Sequence, residues 1–118
     1  MASHIKLGKD GERMAVDYLV ENGYSILHRN WRYSHYEIDI IATKREVLHI
    51  VEVKIRSSTI FGFPEDAVTK KKFRFLQNAA DEFLFQHPAY RHVQYDVLAI
   101  NLNKIEPPQF FLIEDVYL

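Results

Sequence analysis

The sequence predicts an α/β fold built in layers, and three observations carry that prediction. Helix-patterned and strand-patterned segments follow one another as helix, three strands, helix, two strands. That alternation packs as a sheet covered by helices. Two apolar strand-like runs, Tyr36–Ala42 and Val47–Arg56, are separated by a tight polar turn and read as a hairpin. The length of 118 residues gives room for one core, so a single domain over 1–118 is expected.

The elements follow in order. Gly11 to Asn22 reads as a first helix, because Met14, Ala15, Tyr18 and Leu19 recur at helical spacing. Gly23 suits the position just past its end. Tyr24 to Trp31 is the first strand, and the two hairpin strands complete a meander. Ser57–Pro64 reads as a loop. A long helix is expected from about Asp66 to Gln86, with Phe73, Leu76, Ala80, Phe83 and Leu84 as its apolar stripe and Pro88 blocking continuation. Val93–Asn101 is a strongly apolar strand, and Pro107-Pro108 break the chain before a last strand, Phe110–Ile113.

Composition excludes several chemistries. There is no cysteine, which removes disulfides, thiolate metal sites and a cysteine nucleophile. The six histidines lack the spacing of a zinc site. No stretch reaches the length of a membrane span, and the first residues lack the apolar core of a signal peptide, so a cytoplasmic location is the expectation. The net charge of −1 provides no global basic field, so any nucleic-acid binding must use local patches.

Charge interrupts the hairpin strands at Glu37, Asp39, Glu52 and Lys54. If Lys44-Arg45 form a two-residue loop, Asp39 lies opposite Ile50 and Ile38 opposite Val51. One face then carries Ile38, Ile40, Val51 and Val53, and the other carries the four charges. Asp39 and Glu52 become diagonal neighbours, roughly 7–8 Å apart at Cα. Two carboxylates so placed repel, and a divalent cation removes the repulsion. Mg²⁺ is held by one or two carboxylates together with waters or substrate phosphates, and it can activate a water and neutralise charge on a phosphodiester. Lys54 points the same way as Glu52 and is suited to orient the water or stabilise developing negative charge. The competing reading is a solvent-facing sheet edge with an incidental Glu52–Lys54 pair, since the Asp…Glu-x-Lys pattern is short.

Other residues are read beside this cluster. Glu12 falls on the protein-facing side of the first helix, where it can support the strand acids or simply complement the helix dipole. Lys70, Lys71 and Lys72 form the densest basic run at the start of the second helix, where at least two of them must face out, to hold phosphates or to form a solvated face. Arg29, Trp31 and Arg32 make a smaller cluster in which Trp31 reads as core. Asp96 interrupts an apolar strand and reads as a buried, hydrogen-bonded acid.

Taken together, these residues resemble the YraN-like family of small uncharacterised bacterial proteins. That family is assigned to the restriction-endonuclease-like (PD-(D/E)xK) superfamily, which includes Holliday-junction resolvases. Gly8-Lys9, Gly11-Glu12, Ala15 and Tyr18-Leu19 resemble its opening helix, and Gly23-Tyr24, Ile26-Leu27 and Arg29-Asn30-Trp31-Arg32 follow. Glu37-Ile38-Asp39-Ile40-Ile41 and Val51-Glu52-Val53-Lys54 with Arg56 resemble the two signature strands, and Phe61-Gly62 and the lysine run ahead of Ala79-Ala80 fit the segment after them. The resemblance implies a three-layer fold with a central mixed sheet. It implies Asp39 and Glu52 as the metal-binding acids, Lys54 as the catalytic lysine and Glu12 as the helix acid of resolvase-like members. Three positions depart from the pattern: Tyr36 stands where the family usually has glycine, Gln94 where an arginine is common, and Ile55 where a small polar residue is usual.

Three functions follow as expectations. The leading one is a Mg²⁺- or Mn²⁺-dependent endonuclease acting on DNA, with branched or single-stranded DNA as candidate substrates. Asp39 and Glu52 hold the metal, Lys54 assists the water, Glu12 and Glu37 support, and Lys70, Lys71, Lys72, Arg56 and Arg32 hold the backbone. The alternative is a non-catalytic module binding nucleic acid or a protein on the same scaffold. The third is an interaction protein that forms a homodimer through Phe110, Phe111 and Tyr117.

Overall fold

The computed structural model describes residues 2–56, 69–102 and 106–117, with side chains from residue 10 onward. The expected loop Ser57–Pro64, the pair Phe61-Gly62 and the expected first turn of the second helix at 66–68 lie outside the described residues. The element order is α1 (Ala2–Glu21), β1 (Ser25–Tyr33), β2 (Tyr36–Lys44), β3 (Val47–Arg56), α2 (Lys70–Gln86), β4 (Val93–Asn101) and β5 (Gln109–Ile113). The five strands form one mixed sheet in the order β1-β2-β3-β4-β5, with β3 and β4 parallel and the other pairs antiparallel. A parallel pair needs a crossover, and α2 supplies it.

The helices cover opposite faces. Ala15 and Leu19 of α1 are buried with Ile40, Ala42, Val51, Leu98 and Ile100. Leu76, Ala79, Ala80 and Phe83 of α2 are buried with Ile38, Ile41, Leu48 and Ile50. The result is the three-layer α/β arrangement that the resemblance implies. The first helix begins well before Gly11, and its end is as expected. Gly23 takes φ +91°, Gly23 N–H donates to the Val20 carbonyl, and Tyr24 N–H donates to the Leu19 carbonyl. This is a glycine-terminated helix end that satisfies carbonyls α1 leaves open. At the start of α2, Thr69 caps the helix by accepting from Lys72 N–H at 3.1 Å. Gly11 lets α1 settle on β3, with the Ile55 side chain occupying the space a Cβ would need.

The hairpin register differs from the sequence expectation by two residues. Lys44 pairs with Val47, so the two-residue loop is Arg45-Glu46 rather than Lys44-Arg45. Both loop residues have positive φ, 53° and 67°. This is the backbone sense that matches strand twist in a tight hairpin, and it is adopted here without the usual glycine or asparagine. Ile40 therefore pairs with Val51 and Ile41 with Ile50. A two-residue shift preserves the faces of β3 but moves every cross-strand neighbour.

Side-chain alternation along β2 also breaks. Ile40 and Ala42 pack under α1, while Ile38 joins Ile41 under α2. The apolar face expected for Ile38, Ile40, Val51 and Val53 is thus divided at Asp39. The neighbouring strand breaks at the same level. His28 and Trp31, three residues apart, both meet Phe83 of α2 at ring distances of 5.5 Å. Asn30 between them takes φ 52°, a conformation that asparagine tolerates better than most residues. Trp31 is half-buried in that contact, as its reading as core requires.

Candidate active site

The local break positions the acids. The β2–β3 ladder runs from Lys44↔Val47 to Ile40↔Val51 and then parts. One step further the register sets Asp39 across from Glu52, directly rather than diagonally as the sequence register had them. At that step β2 no longer offers a backbone acceptor to β3. Instead the Asp39 carboxylate accepts from Val53 N–H, at 2.8 Å from Oδ2. The side chain replaces a missing ladder bond, which fixes the carboxylate between the diverging strands. An unpaired buried amide would cost roughly 1–3 kcal/mol.

Glu52 is buried, with only 7 % of its side chain exposed. It is within hydrogen-bonding reach of Asp39. Two ammonium groups approach the same oxygen: Lys54 Nζ lies 3.6 Å and Lys72 Nζ 3.8 Å from Glu52 Oε1. Lys54 comes from the next outward position on β3, and Lys72 from the first turn of α2. Two acids and two lysines from three elements thus meet at the strand divergence.

Burial disfavours charge on both acids. Glu52 is pushed from its ordinary 4.5 to about 7, first by desolvation and then by the Asp39 charge, with Lys72 and Lys54 opposing. Asp39 is also raised by burial, against the Val53 N–H and the Lys72 charge. The interaction between the two acids raises Glu52 and lowers Asp39.

The remaining candidates surround this centre at different ranges. Glu12 does not join the acid pair. It bonds Asn30 Nδ2 at 3.3 Å and lies 4.0 Å from Arg29. It does line, with Asn30, Asp39 and Val53, a cleft of about 130 Å³ between α1 and the sheet. Glu37 pairs with Arg32 at 3.4 Å on the surface, and its charge adds to the upward push on Asp39. Lys70 and Lys71 are exposed, as at least two of the three lysines had to be, while Lys72 is turned to the acids. Arg56 is half-buried at the end of β3, beside Asn101 of β4. Of the proposed dimer residues, Phe110 is engaged by α1, stacking on Tyr18 at 4.7 Å, whereas Phe111 and Tyr117 are exposed.

A second polar cluster escaped the sequence reading, which gave the histidines no role. His49 and Asp96 are buried and joined at 2.6 Å. Asp96 also accepts from Gln94 Nε2 and Asp115 N–H, each at 3.0 Å, and Tyr24 packs edge-on against His49. Asp96 is therefore the buried, hydrogen-bonded acid the sequence suggested. The cluster lies under the α1 side of the sheet and ties β3 and β4 to the segment after β5.

The donor set at the strand divergence is all carboxylate oxygen, which suits a hard divalent cation, and the repulsion between two adjacent acids is relieved by such a cation. Among the described residues no group of three or more His, Cys, Asp or Glu side chains converges. The rest of a coordination shell would come from water, backbone or a substrate phosphate, which is the way Mg²⁺ is commonly bound. The residues present fit the ion.

Fold and site define a small three-layer α/β protein with an acid–lysine cluster, built around buried Glu52, where two strands of a mixed sheet part. The chain belongs to UPF0102, an uncharacterised protein family whose model matches residues 11–100; this is the YraN-like family the motifs resemble. It is similar to a UPF0102 protein of Bacteroides thetaiotaomicron, 47 % identical over 100 residues that cover 85 % of this chain and 83 % of the relative. A UPF0102 protein of Bacteroides fragilis is 48 % identical over the same shares. One of Parabacteroides distasonis is 40 % identical over 116 residues, 98 % of this chain and 93 % of the relative. No helix among the described residues is long and apolar enough to cross a membrane.

Proposed function

We propose that this protein is a divalent-metal-dependent endonuclease that hydrolyses DNA phosphodiester bonds in the cytoplasm. The observation that carries the reading is the Asp39–Glu52 pair, set where β2 and β3 part and flanked by Lys54. Asp39 and Glu52 would hold Mg²⁺ or Mn²⁺, which supplies charge neutralisation at the scissile phosphate and lowers the pKa of a water. Asp39 is held for this by Val53 N–H. Lys54, anchored on Glu52, offers an ammonium to orient the attacking water or to meet the charge developing on phosphate. Lys72, which lies 3.8 Å from Glu52, would give a second positive group for the phosphate. Glu12 and Arg29 line the cleft on the α1 side, and Arg32, Arg56, Lys70 and Lys71 provide outer backbone contacts. A homodimer using Phe111 and Tyr117 would present two such sites, and light scattering at twice the monomer mass is the reading expected of it.

The test is cleavage of branched, flap and duplex DNA in Mg²⁺ or Mn²⁺ by wild type, Glu52→Gln and Lys54→Ala, with circular dichroism to confirm folding. Cleavage is expected in wild type and absent in both variants. Equal cleavage by all three would remove the reading.

A second reading has its own observation. Lys72 and Lys54 already place two positive charges on Glu52, so the cluster can be neutral without a metal. A DNA-binding module without turnover would keep that arrangement. It predicts salt-sensitive binding that is indifferent to chelators, and no cleavage.

A further inference from the structure

Beside the acid–lysine cluster lies an aromatic surface that the chemistry above does not use. The Tyr36 ring is 4.2 Å from His35 and 4.9 Å from Phe75, centroid to centroid, with His35 and Phe75 5.9 Å apart. His35 is exposed, and Tyr36 and Phe75 are half-buried, so the group reaches solvent. Lys72 Nζ stands 5.2 Å from the Phe75 centroid and 3.8 Å from Glu52 Oε1, so one ammonium separates an aromatic ring from the buried acid. Thr69, Lys71, Lys72 and Phe75 line a hollow of about 250 Å³ that continues this surface.

Packing against the Ile38 cluster accounts for the inner side of Tyr36. It does not account for an exposed ring laid on Tyr36, or for two lysines at the rim. Rings interleaved with basic groups match a nucleotide: the base presents a π face and the adjoining phosphate a negative charge. The spacing also matters. A ring and a carboxylate on either side of a single ammonium are separated by a distance that one nucleotide spans.

We infer that this surface binds an unpaired nucleotide of the substrate, stacking its base on Tyr36 and Phe75 while Lys71 and Lys72 hold the phosphate beside Asp39 and Glu52. The identity of the ligand as the DNA to be cut rests on the nuclease reading. A base inside a duplex already has both faces stacked. The surface therefore selects DNA with a single-stranded segment next to the scissile bond, a flap or a fork, over continuous duplex.

The experiment is fluorescence anisotropy in EDTA, so that binding is read without turnover. Three labelled DNAs are compared: a duplex with a single-stranded flap, the same duplex without it, and the flap with abasic residues at the junction. The proteins are wild type, Tyr36→Phe and the double variant Tyr36→Leu/Phe75→Leu, which keeps apolar bulk but removes the rings. The flap is expected to bind about tenfold more tightly than duplex, in line with stacking energies for single bases. That preference should be lost with the abasic flap and in the double variant, and retained in Tyr36→Phe. Equal affinity for flap and duplex would overturn the inference, as would an abasic flap that binds like the intact one. The abasic comparison uses only wild-type protein, so it decides even if the double variant fails to fold. Parallel cleavage assays in Mn²⁺ separate the two readings. A flap preference without cleavage sustains the platform and removes the nuclease, whereas cleavage without flap preference does the reverse.

Discussion

Replacing Glu52 by glutamine should make the protein more stable above neutral pH, although it removes the central acid of the proposed site. The folded state holds the Glu52 proton more tightly than the unfolded chain, with a pKa near 7 against an ordinary 4.5. Between those values the folded protein carries more protons than the unfolded one, so stability falls as pH rises. The cost is absent below the unfolded value and complete above about pH 7. At 1.36 kcal/mol per tenfold, its full size is about 3 kcal/mol. Glutamine keeps the shape and the ability to donate to Asp39, but has no charge to desolvate. The side chain is almost wholly buried, so solvent screening removes little of the difference.

Thermal melts of wild type and Glu52→Gln from pH 4 to pH 8.5, at constant ionic strength, measure this. For a chain of this length, about 3 kcal/mol corresponds to a midpoint difference on the order of 10 °C. The two proteins should melt together near pH 4, diverge from about pH 4.5 and reach the full difference above about pH 7, with the variant higher. A difference that does not change with pH would refute the reasoning, because it would mean Glu52 titrates alike in both states. A variant that is less stable at pH 8 would mean that the lysines outweigh burial.

Mn²⁺ or Mg²⁺ should raise the wild-type midpoint at pH 8 and leave that of Glu52→Gln unchanged; a hundredfold excess over the dissociation constant adds about 2.7 kcal/mol. Equal shifts in the two proteins would place the ion elsewhere. Asp39→Ala should cost about 1–3 kcal/mol in urea unfolding because it leaves Val53 N–H buried and unpaired, while Asp39→Asn, which retains an acceptor oxygen, should cost less; equal losses would show that the bond to Val53 carries no energy. Asp96→Ala should be more damaging, about 3–5 kcal/mol, because it strands buried His49 and two donors together. A loss below 1 kcal/mol in the same assay would contradict the network.

The elements of the fold were legible because their signals are local. Val93–Asn101 is dominated by apolar residues, with Val97–Ile100 an unbroken apolar run as a strand covered on both faces requires, and Gly23 marks the end of α1 by its tolerance of positive φ. The hairpin register was not legible, because Arg45-Glu46 adopts a left-handed turn with neither residue typical of one. The polar run Thr43–Glu46 fits two loop placements equally well, and only the paired strands choose between them. Lys72 was readable in principle. It precedes Leu76 by four residues and so borders the buried stripe of α2, yet the pattern alone required only that at least two of the three lysines face out, without naming the one that turns inward. The His49–Asp96 pair joins residues far apart in sequence through a parallel register, and neither strand carries a sign of its partner.

The break in β2 is where sequence and site meet. A strand that kept strict alternation would put Ile38 under α1 with Ile40 and leave Asp39 to the other face. Here Ile38 is instead drawn under α2 beside Ile41 and Trp31, and Asn30 absorbs the matching irregularity on β1. The backbone of β2 thereby turns away from β3 and gives up its ladder at Asp39, which must then satisfy Val53 N–H with its own carboxylate. The opening exposes Asp39 to the cleft shared with Glu12 while holding it against Glu52. Restoring alternation would close the strands and remove the cluster. The packing of Ile38 and the conformation of Asn30 therefore belong to the machinery that builds the site.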